Sequence, residues 1–464
     1  MIRSDRVAAG LGALLFIAVM AHALAAPEVA ERRFYLALLA ASSLVWFTRA
    51  GSLASLAALV PLGPVVDFFF LTPGRGVYAT EVVLMSALGG WLTSRAFGRD
   101  TTPWPRPSLP VLLFCNFGAV GLLALVAGHA DRFVFFTAYR MARVLLLSAA
   151  VGYMFHTLAR DPRARARAVR VWTKASLAAL GLLGLFGIVE YLVSGRGGGH
   201  FEPGSFYRSS VGLAVHVAFF APLALSIWLG ASARIWRLAG AASWLLAVAC
   251  LPLTASRGAL GSLFATSVLV VLVTARRTRG RGWRGIAVVL LLLAAGLSLL
   301  AARPELAGEA FAYKYRASIE GDFFSTRVEE WGEAWRAIGA DPLFGEGPEA
   351  WAPSVPLELA RRHGVPAALL ALAAIVVAAW ITARRAWRRD REPSPVLDRG
   401  LHDASVAWGV ALGLVGLFLV GLAETGLGAR STPLLAVTLS VAGMVCVGRP
   451  GADPTQGSTN TNSL

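Results

Sequence analysis

Charge is scarce in this chain, and negative charge scarcest. Only 15% of the 464 residues are charged, and 27 carboxylates face 43 Lys and Arg, a formal net charge of +16. Soluble domains carry roughly 25% charged residues, so this composition excludes an ordinary soluble globular protein. Cysteine is nearly missing as well. Cys115, Cys250 and Cys446 each sit inside an apolar run, without the spacing of a metal or redox site, and are expected to be inert packing residues. No Walker loop, HExxH or cysteine-based metal pattern occurs. No repeat of 20–50 residues and no soluble domain is visible.

What the chain has instead is oil. Hydrophobic residues make up 56% of it and its mean hydropathy is +0.63. Apolar runs recur at about the length needed to cross a hydrocarbon core of ~30 Å. The expected fold is an all-α, polytopic transmembrane bundle of 12–14 spans, near residues 34–48, 52–71, 78–94, 109–128, 133–158, 172–194, 211–230, 237–254, 258–275, 285–302, 364–383, 403–423 and 431–448. Pro61, Pro64 and Asp67 make the second of these a candidate re-entrant segment. The first apolar run, Val7 to Ala26, ends Ala23-Leu24-Ala25 before Pro27. That resembles a signal peptide; an uncleaved first helix is the alternative.

The excess arginine is organised. Arg160, Arg163, Arg165, Arg167 and Arg170 form one basic group. Arg276, Arg277, Arg279, Arg281 and Arg284 form a second, and Arg384, Arg385, Arg388, Arg389 and Arg391 a third. The expected spans put all three on one side, which the positive-inside rule makes cytoplasmic. Membrane, not nucleic acid, is therefore the expected partner of the positive charge. The opposite side receives the Gly195–Gly204 loop, the Ser256-Arg257-Gly258 junction and a long polar segment, 302–363.

That segment holds 11 of the 27 carboxylates and Trp331, Trp335 and Trp351. Thr326 and Glu329 have capping-box spacing. A helix is thus expected from Arg327 to about Ile338, with Gly339 at C′ and Asp341-Pro342 ending it. Trp331, Trp335 and Ile338 then share an apolar stripe, which suits a helix lying in the membrane interface. Arg327 would lie beside the positive end of the helix dipole and form an anion site; pairing with Glu330 or Glu333 is the structural alternative. Arg257 stands between two apolar runs, where a cation is costly without a partner or a task. Its alternative is snorkelling to headgroups. Guanidinium forks suit a lipid-linked diphosphate.

Three pieces in order carry a resemblance. They are Leu253-Thr254-Ala255-Ser256-Arg257-Gly258-Ala259, then Ser325-Thr326-Arg327 with Trp331, Trp335 and Asp341-Pro342-Leu343-Phe344-Gly345-Glu346-Gly347-Pro348, and finally Leu357-Glu358-Leu359 with His363-Gly364-Val365-Pro366. Together they resemble the O-antigen ligase and O-antigen polymerase superfamily over roughly residues 205–383. The resemblance implies transfer of an oligo- or polysaccharide from a polyprenyl diphosphate carrier to a lipid or glycan acceptor hydroxyl. It places that reaction on the periplasmic face of the inner membrane, with no metal and no cofactor. Arg257 and Arg327 would bind the diphosphate leaving group, whose developing charge fixed cations stabilise. The ligases carry a His-Asn pair just before the closing segment; here those positions are Pro353 and Ser354. Proline cannot be a base, so Glu349 and His363 become the base candidates, with a loop acid and a helix-boundary histidine as their plain alternatives. Arg208 is a candidate substrate contact. Glu81, His156, Glu190, His216 and Glu424 lie in or beside spans without a role assigned.

The resulting division is 1–204 for the first helices, 205–383 for the ligase-like core, 384–448 for the last helices and 449–464 for a disordered tail. A transporter or flippase for an anion or lipid-linked glycan is the competing function. Transporters concentrate polar residues near the midplane and carry repeats, whereas here the ionic residues gather in one outer segment.

Overall fold

The computed structural model describes residues 108–128, 162–194, 210–278, 283–302, 322–347, 350–389, 396–398 and 400–423, with a few isolated positions besides. Expected spans 34–48, 52–71, 78–94, 133–158 and 431–448 lie outside these residues or touch only the isolated ones. The described chain is a bundle of helices: α1 Leu109–Gly128, α2 Pro162–Ser194, α3 Ser210–Gly230, α4 Arg234–Cys250, α5 Arg257–Thr278, α6 Trp283–Ala302, α7 Asp322–Ala340, α8 Val355–Arg389 and α9 Asp403–Ala423. Seven of them are long and apolar enough to cross a membrane, and α6 occupies the expected 285–302 span. The protein is an all-α, multi-pass membrane protein.

Two expected boundaries move. The basic stretch from Arg163 to Arg170 is the opening of α2, with Pro162 as its first residue. Arginine is a good helix former and Pro is preorganised for N1, so a charged stretch continued a helix instead of ending one. Helix α8 begins at Val355, well before the expected 364, and is broken at Gly364.

Helices α3 and α9 form the centre. Their backbones approach at Gly409, Gly413 and Gly416, where an added Cβ would lie 2.7 Å from Leu223 Cα, 2.5 Å from the Phe219 carbonyl oxygen and 2.7 Å from that of Ala218. Small residues permit this close packing where lipid supplies no hydrophobic drive. Buried hydroxyls tie neighbours to the seam. Ser226 Oγ donates to the Ser405 carbonyl at 2.7 Å and Ser262 Oγ to the Gly416 carbonyl at 2.8 Å.

The basic groups meet at one end. Arg276 lies over the Trp387 ring, 4.3 Å from its centroid, and Arg277 Nη1 donates to Ser405 Oγ at 2.8 Å. This joins the end of α5 to the end of α8 and the start of α9. A small hairpin, β1 Val396–Asp398 with β2 Leu401–His402, clips onto the turn before α4, where the Ser232 amide donates to the Gly400 carbonyl at 2.9 Å. Helix α2 runs parallel to α4. Ser243 Oγ donates to the Leu177 carbonyl, and Gly184, further along α2, faces Leu246, further along α4. The arginine-rich start of α2 therefore shares that end, in agreement with the expected clustering.

Candidate functional site

At the opposite end, the chain leaves α4 as a 3-10 turn, Leu251–Thr254, closed by Ala255 in the left-handed region at φ 54°, ψ 20°. Ala255 is the one non-glycine residue with positive φ among the described residues. The Ala255 amide donates to the Pro252 carbonyl at 3.0 Å, and Thr254 Oγ1 donates to that of Leu251 at 2.7 Å. Buried Ser256 then caps α5, its Oγ accepting the Ala259 amide at 3.2 Å. That interaction is an N-cap to N3 bond. Arg257 is consequently the first residue of α5, half-buried. Two local choices here oppose stability: a left-handed alanine and a cation on the positive end of a helix dipole. Strain held at a defined turn points toward function.

Helix α7 begins at Asp322, not after Thr326, so the capping-box expectation fails. Threonine is tolerated inside a helix. Arg327 accordingly sits beyond the first turn, where the dipole has faded, so the proposed dipole site at Arg327 falls with the cap. Gly339 is helical and carries no positive φ, so it is not the C′ residue. Arg327 Nη1 contacts Glu330 Oε2 at 3.3 Å and the Pro353 carbonyl oxygen at 3.5 Å. The structural alternative of an Arg327–Glu330 pair is thus present, alongside a second contact to Pro353.

The expected Trp331–Trp335–Ile338 stripe divides. Ile338 and Ala334 are buried, while Trp335 is 63% exposed and Val328 and Trp331 are exposed beside it. With about 100° between successive residues, α7 has three sectors. Arg327, Glu330, Ala334 and Ile338 face the bundle. Val328, Trp331 and Trp335 form an outward apolar sector, and Glu329, Glu333 and Arg336 a charged one.

The segment after α7 is strapped to the break in α8. Asp341 Oδ1 accepts the Phe344 amide at 3.0 Å, the Glu346 amide donates to the Arg361 carbonyl, and the Val365 amide donates to the Pro342 carbonyl at 2.8 Å. Gly364 at φ 80°, ψ 162° turns its missing side chain onto the Leu343 carbonyl, and Gly345 at φ 73° onto that of Arg361. Any Cβ would collide, and only glycine adopts these angles readily. Two arginines pin the remainder. Arg361 Nε donates to Glu346 Oε2 at 2.8 Å, and Arg362 Nε donates to the Ala350 carbonyl at 2.7 Å while its Nη2 pairs with Glu358 Oε1 at 2.6 Å. The Asp341-to-Gly347 turn and the His363-Gly364-Val365-Pro366 segment are therefore two halves of one clamp. Arg361 and Arg362 went unnoticed in the sequence. The Glu358–Arg362 spacing of i, i+4 was a readable signal, whereas Arg361 and Glu346 meet only because of the break.

The two candidate arginines share this end of the bundle. Ser262 is level with Gly416, and antiparallel packing places Arg257 and Gly421 each five positions further toward the same end, about 7.5 Å at 1.5 Å per residue. Gly421 faces Val355, where an added Cβ would lie 3.3 Å away. Pro353, which contacts Arg327, is two residues before Val355. Arg257 on α5 thus lies at the end of the bundle where Arg327 on α7 contacts Pro353.

His363 is buried at the break, its ring edge-on to Phe117 of α1 with centroids 6.1 Å apart. His216 is buried within α3 against Phe220, centroids 4.6 Å apart. Ser354 is buried and Glu190 is half-buried near the end of α2. Arg208, Glu349, Glu81, His156 and Glu424 lie outside the described residues.

Residues 241–366, running from α4 through the break in α8, match the family model described as O-antigen ligase. No curated protein matches the chain.

Proposed function

From the O-antigen ligase family domain over residues 241–366, we propose that this membrane protein transfers a glycan from a polyprenyl diphosphate carrier to an acceptor hydroxyl at the periplasmic face of the inner membrane. The observation that carries this reading is the Ser256-capped turn that offers Arg257 at the same end of the bundle as Arg327. Departure of a diphosphate develops negative charge on its oxygens. Two guanidinium groups, Arg257 at the start of α5 and Arg327 within α7, stabilise that charge without reorganising. Arg257 stands on the first turn of α5, whose dipole adds positive potential there. Arg327 approaches from the bundle-facing sector of α7, while the apolar sector, Val328, Trp331 and Trp335, lies in the headgroup region of the outer leaflet. The basic opposite end is then cytoplasmic.

Pro353 fills the position of the family's proposed base. Glu349 and His363 remain the acceptor-side candidates and Arg208 a substrate contact. The reaction needs neither metal nor cofactor in this reading. Arg257→Ala and Arg327→Ala variants, produced in a strain whose surface polysaccharide depends on this protein, test it. Loss of surface polysaccharide with accumulation of lipid-linked precursor is expected from each. Wild-type polysaccharide in both variants overturns the assignment.

A further inference from the structure

One side of α8 carries a continuous exposed stripe. Alanines such as Ala371, Ala374 and Ala378 fill its buried side, and the exposed residues are Leu369, Val376, Trp380, Arg384, Trp387 and Arg388. Their spacing of seven, four, four, three and one keeps them on one face of the helix. The apolar part, Leu369 to Trp380, is about 16 Å long at 1.5 Å per residue, the depth of one leaflet of a ~30 Å hydrocarbon core. Trp380 is 66% exposed and Leu369 61%. At the basic end the stripe gives way to Arg384, Trp387 and Arg388, and Arg276 from α5 lies over the Trp387 ring, 4.3 Å from its centroid.

The chemistry at that end differs from a loose scatter of positive charge. Trp387 is itself held by Trp408 of α9, ring centroids 6.5 Å apart at 69°, so the platform under Arg276 is fixed. A guanidinium stacked on an indole face keeps its N–H edge available in the plane of the group. That edge matches the oxygens of a phosphodiester, and Arg384 and Arg388 project from the same helix face. An apolar stripe one leaflet deep leads directly to the cluster.

We propose that this face is a binding site for one anionic phospholipid. Its acyl chains lie along Leu369, Val376 and Trp380, and its phosphate rests on Arg276, Arg384 and Arg388 above the Trp387 platform. The site is on the basic end and stands independently of the glycan-transfer reading.

Native mass spectrometry of the full chain in mild detergent tests it, with phosphatidylglycerol and phosphatidylcholine of identical acyl chains as probes. Each engaged arginine is expected to favour the anionic headgroup roughly fivefold, so wild-type protein should retain phosphatidylglycerol at least tenfold better. Arg384→Gln/Arg388→Gln should erase most of that excess, and Trp387→Leu should lower it by removing the platform. Arg167→Gln/Arg170→Gln, in the basic opening of α2, should leave it intact. Equal retention of both lipids by the wild type overturns the proposal. So does an unchanged preference in either α8 variant, and so does an equal loss in the α2 control. If the double variant does not express, Trp387→Leu alone decides between these outcomes.

Discussion

The guanidinium of Arg361 closes on the carboxylate of Glu346, Nε to Oε2 at 2.8 Å, while the Arg361 carbonyl accepts the Glu346 amide. One residue of α8 therefore holds one residue of the strap through both side chain and backbone. Arg361 also donates to the Trp351 carbonyl. Arg361→Ala removes two contacts and is expected to cost about 1–2 kcal/mol, reduced from the ~1.5–3 of a charged hydrogen bond by partial exposure. Glu346→Ala leaves the Trp351 contact and should cost less than ~1 kcal/mol. Thermal unfolding in detergent ranks the two; equal losses would show that the backbone, not Arg361, sets the clamp.

Glycines along this segment should separate sharply. Gly364→Ala puts a Cβ onto the Leu343 carbonyl at a backbone angle that alanine avoids, a combined cost of more than ~3 kcal/mol. Gly332 and Gly339 lie within α7 with open space where a Cβ would go. Alanine at either should stabilise by roughly 0.5–1 kcal/mol. Expression yield and melting temperature of the three variants check this, and a destabilising Gly339→Ala would restore that glycine to a helix-terminating role.

The Ser256 hydroxyl caps the helix that begins with Arg257. Ser256→Ala should cost about 1 kcal/mol of stability and lower glycan transfer, since the arginine loses a fixed mount. Ser256→Asp keeps an oxygen in place and should recover stability while adding a negative charge beside the proposed diphosphate. Stability and transfer should therefore part company in this variant. Arg257→Lys keeps the charge without the fork and should fall well short of wild-type transfer. Polysaccharide display measured beside melting temperature separates these outcomes.

His402, at the basic end, has its protonation opposed first by burial and then by the Arg277 charge, so its pKa lies below the ordinary value. The unfolded chain then takes up the proton more readily than the folded one, and stability rises with pH. The contribution is complete above the ordinary histidine value of about 6.5 and is lost as pH falls toward the depressed one. Melting temperature should drop from pH 7 to pH 5, and His402→Asn should flatten that part of the drop.

The spans at 109–128, 211–230 and 403–423 were legible because uniformly apolar runs end abruptly in polar residues, and the helices follow within a residue. Charge at a boundary was harder to read. Arg163 to Arg170 continue a helix because arginine resists helix formation little. Thr326 and Glu329 matched a capping motif that the chain does not use, since Asp322 starts the helix sooner. At the site, Ser256, Arg257 and Arg327 stood out by residue type and position. The left-handed Ala255 left no trace, because alanine is unexceptional until its backbone angles are known. Arg361 and Glu346 meet through the break at Gly364, a tertiary event that periodicity does not encode.

The contact between Arg327 and residue 353 is made to a main-chain oxygen. Every amino acid supplies that atom, so a change of side chain at 353 leaves the arginine this support. In the proposed glycan transfer, Pro353 therefore bears on how the acceptor is activated and is silent about how the donor is held. A backbone ester at residue 354, which weakens the preceding carbonyl as an acceptor, is the kind of substitution that reaches the contact to Arg327.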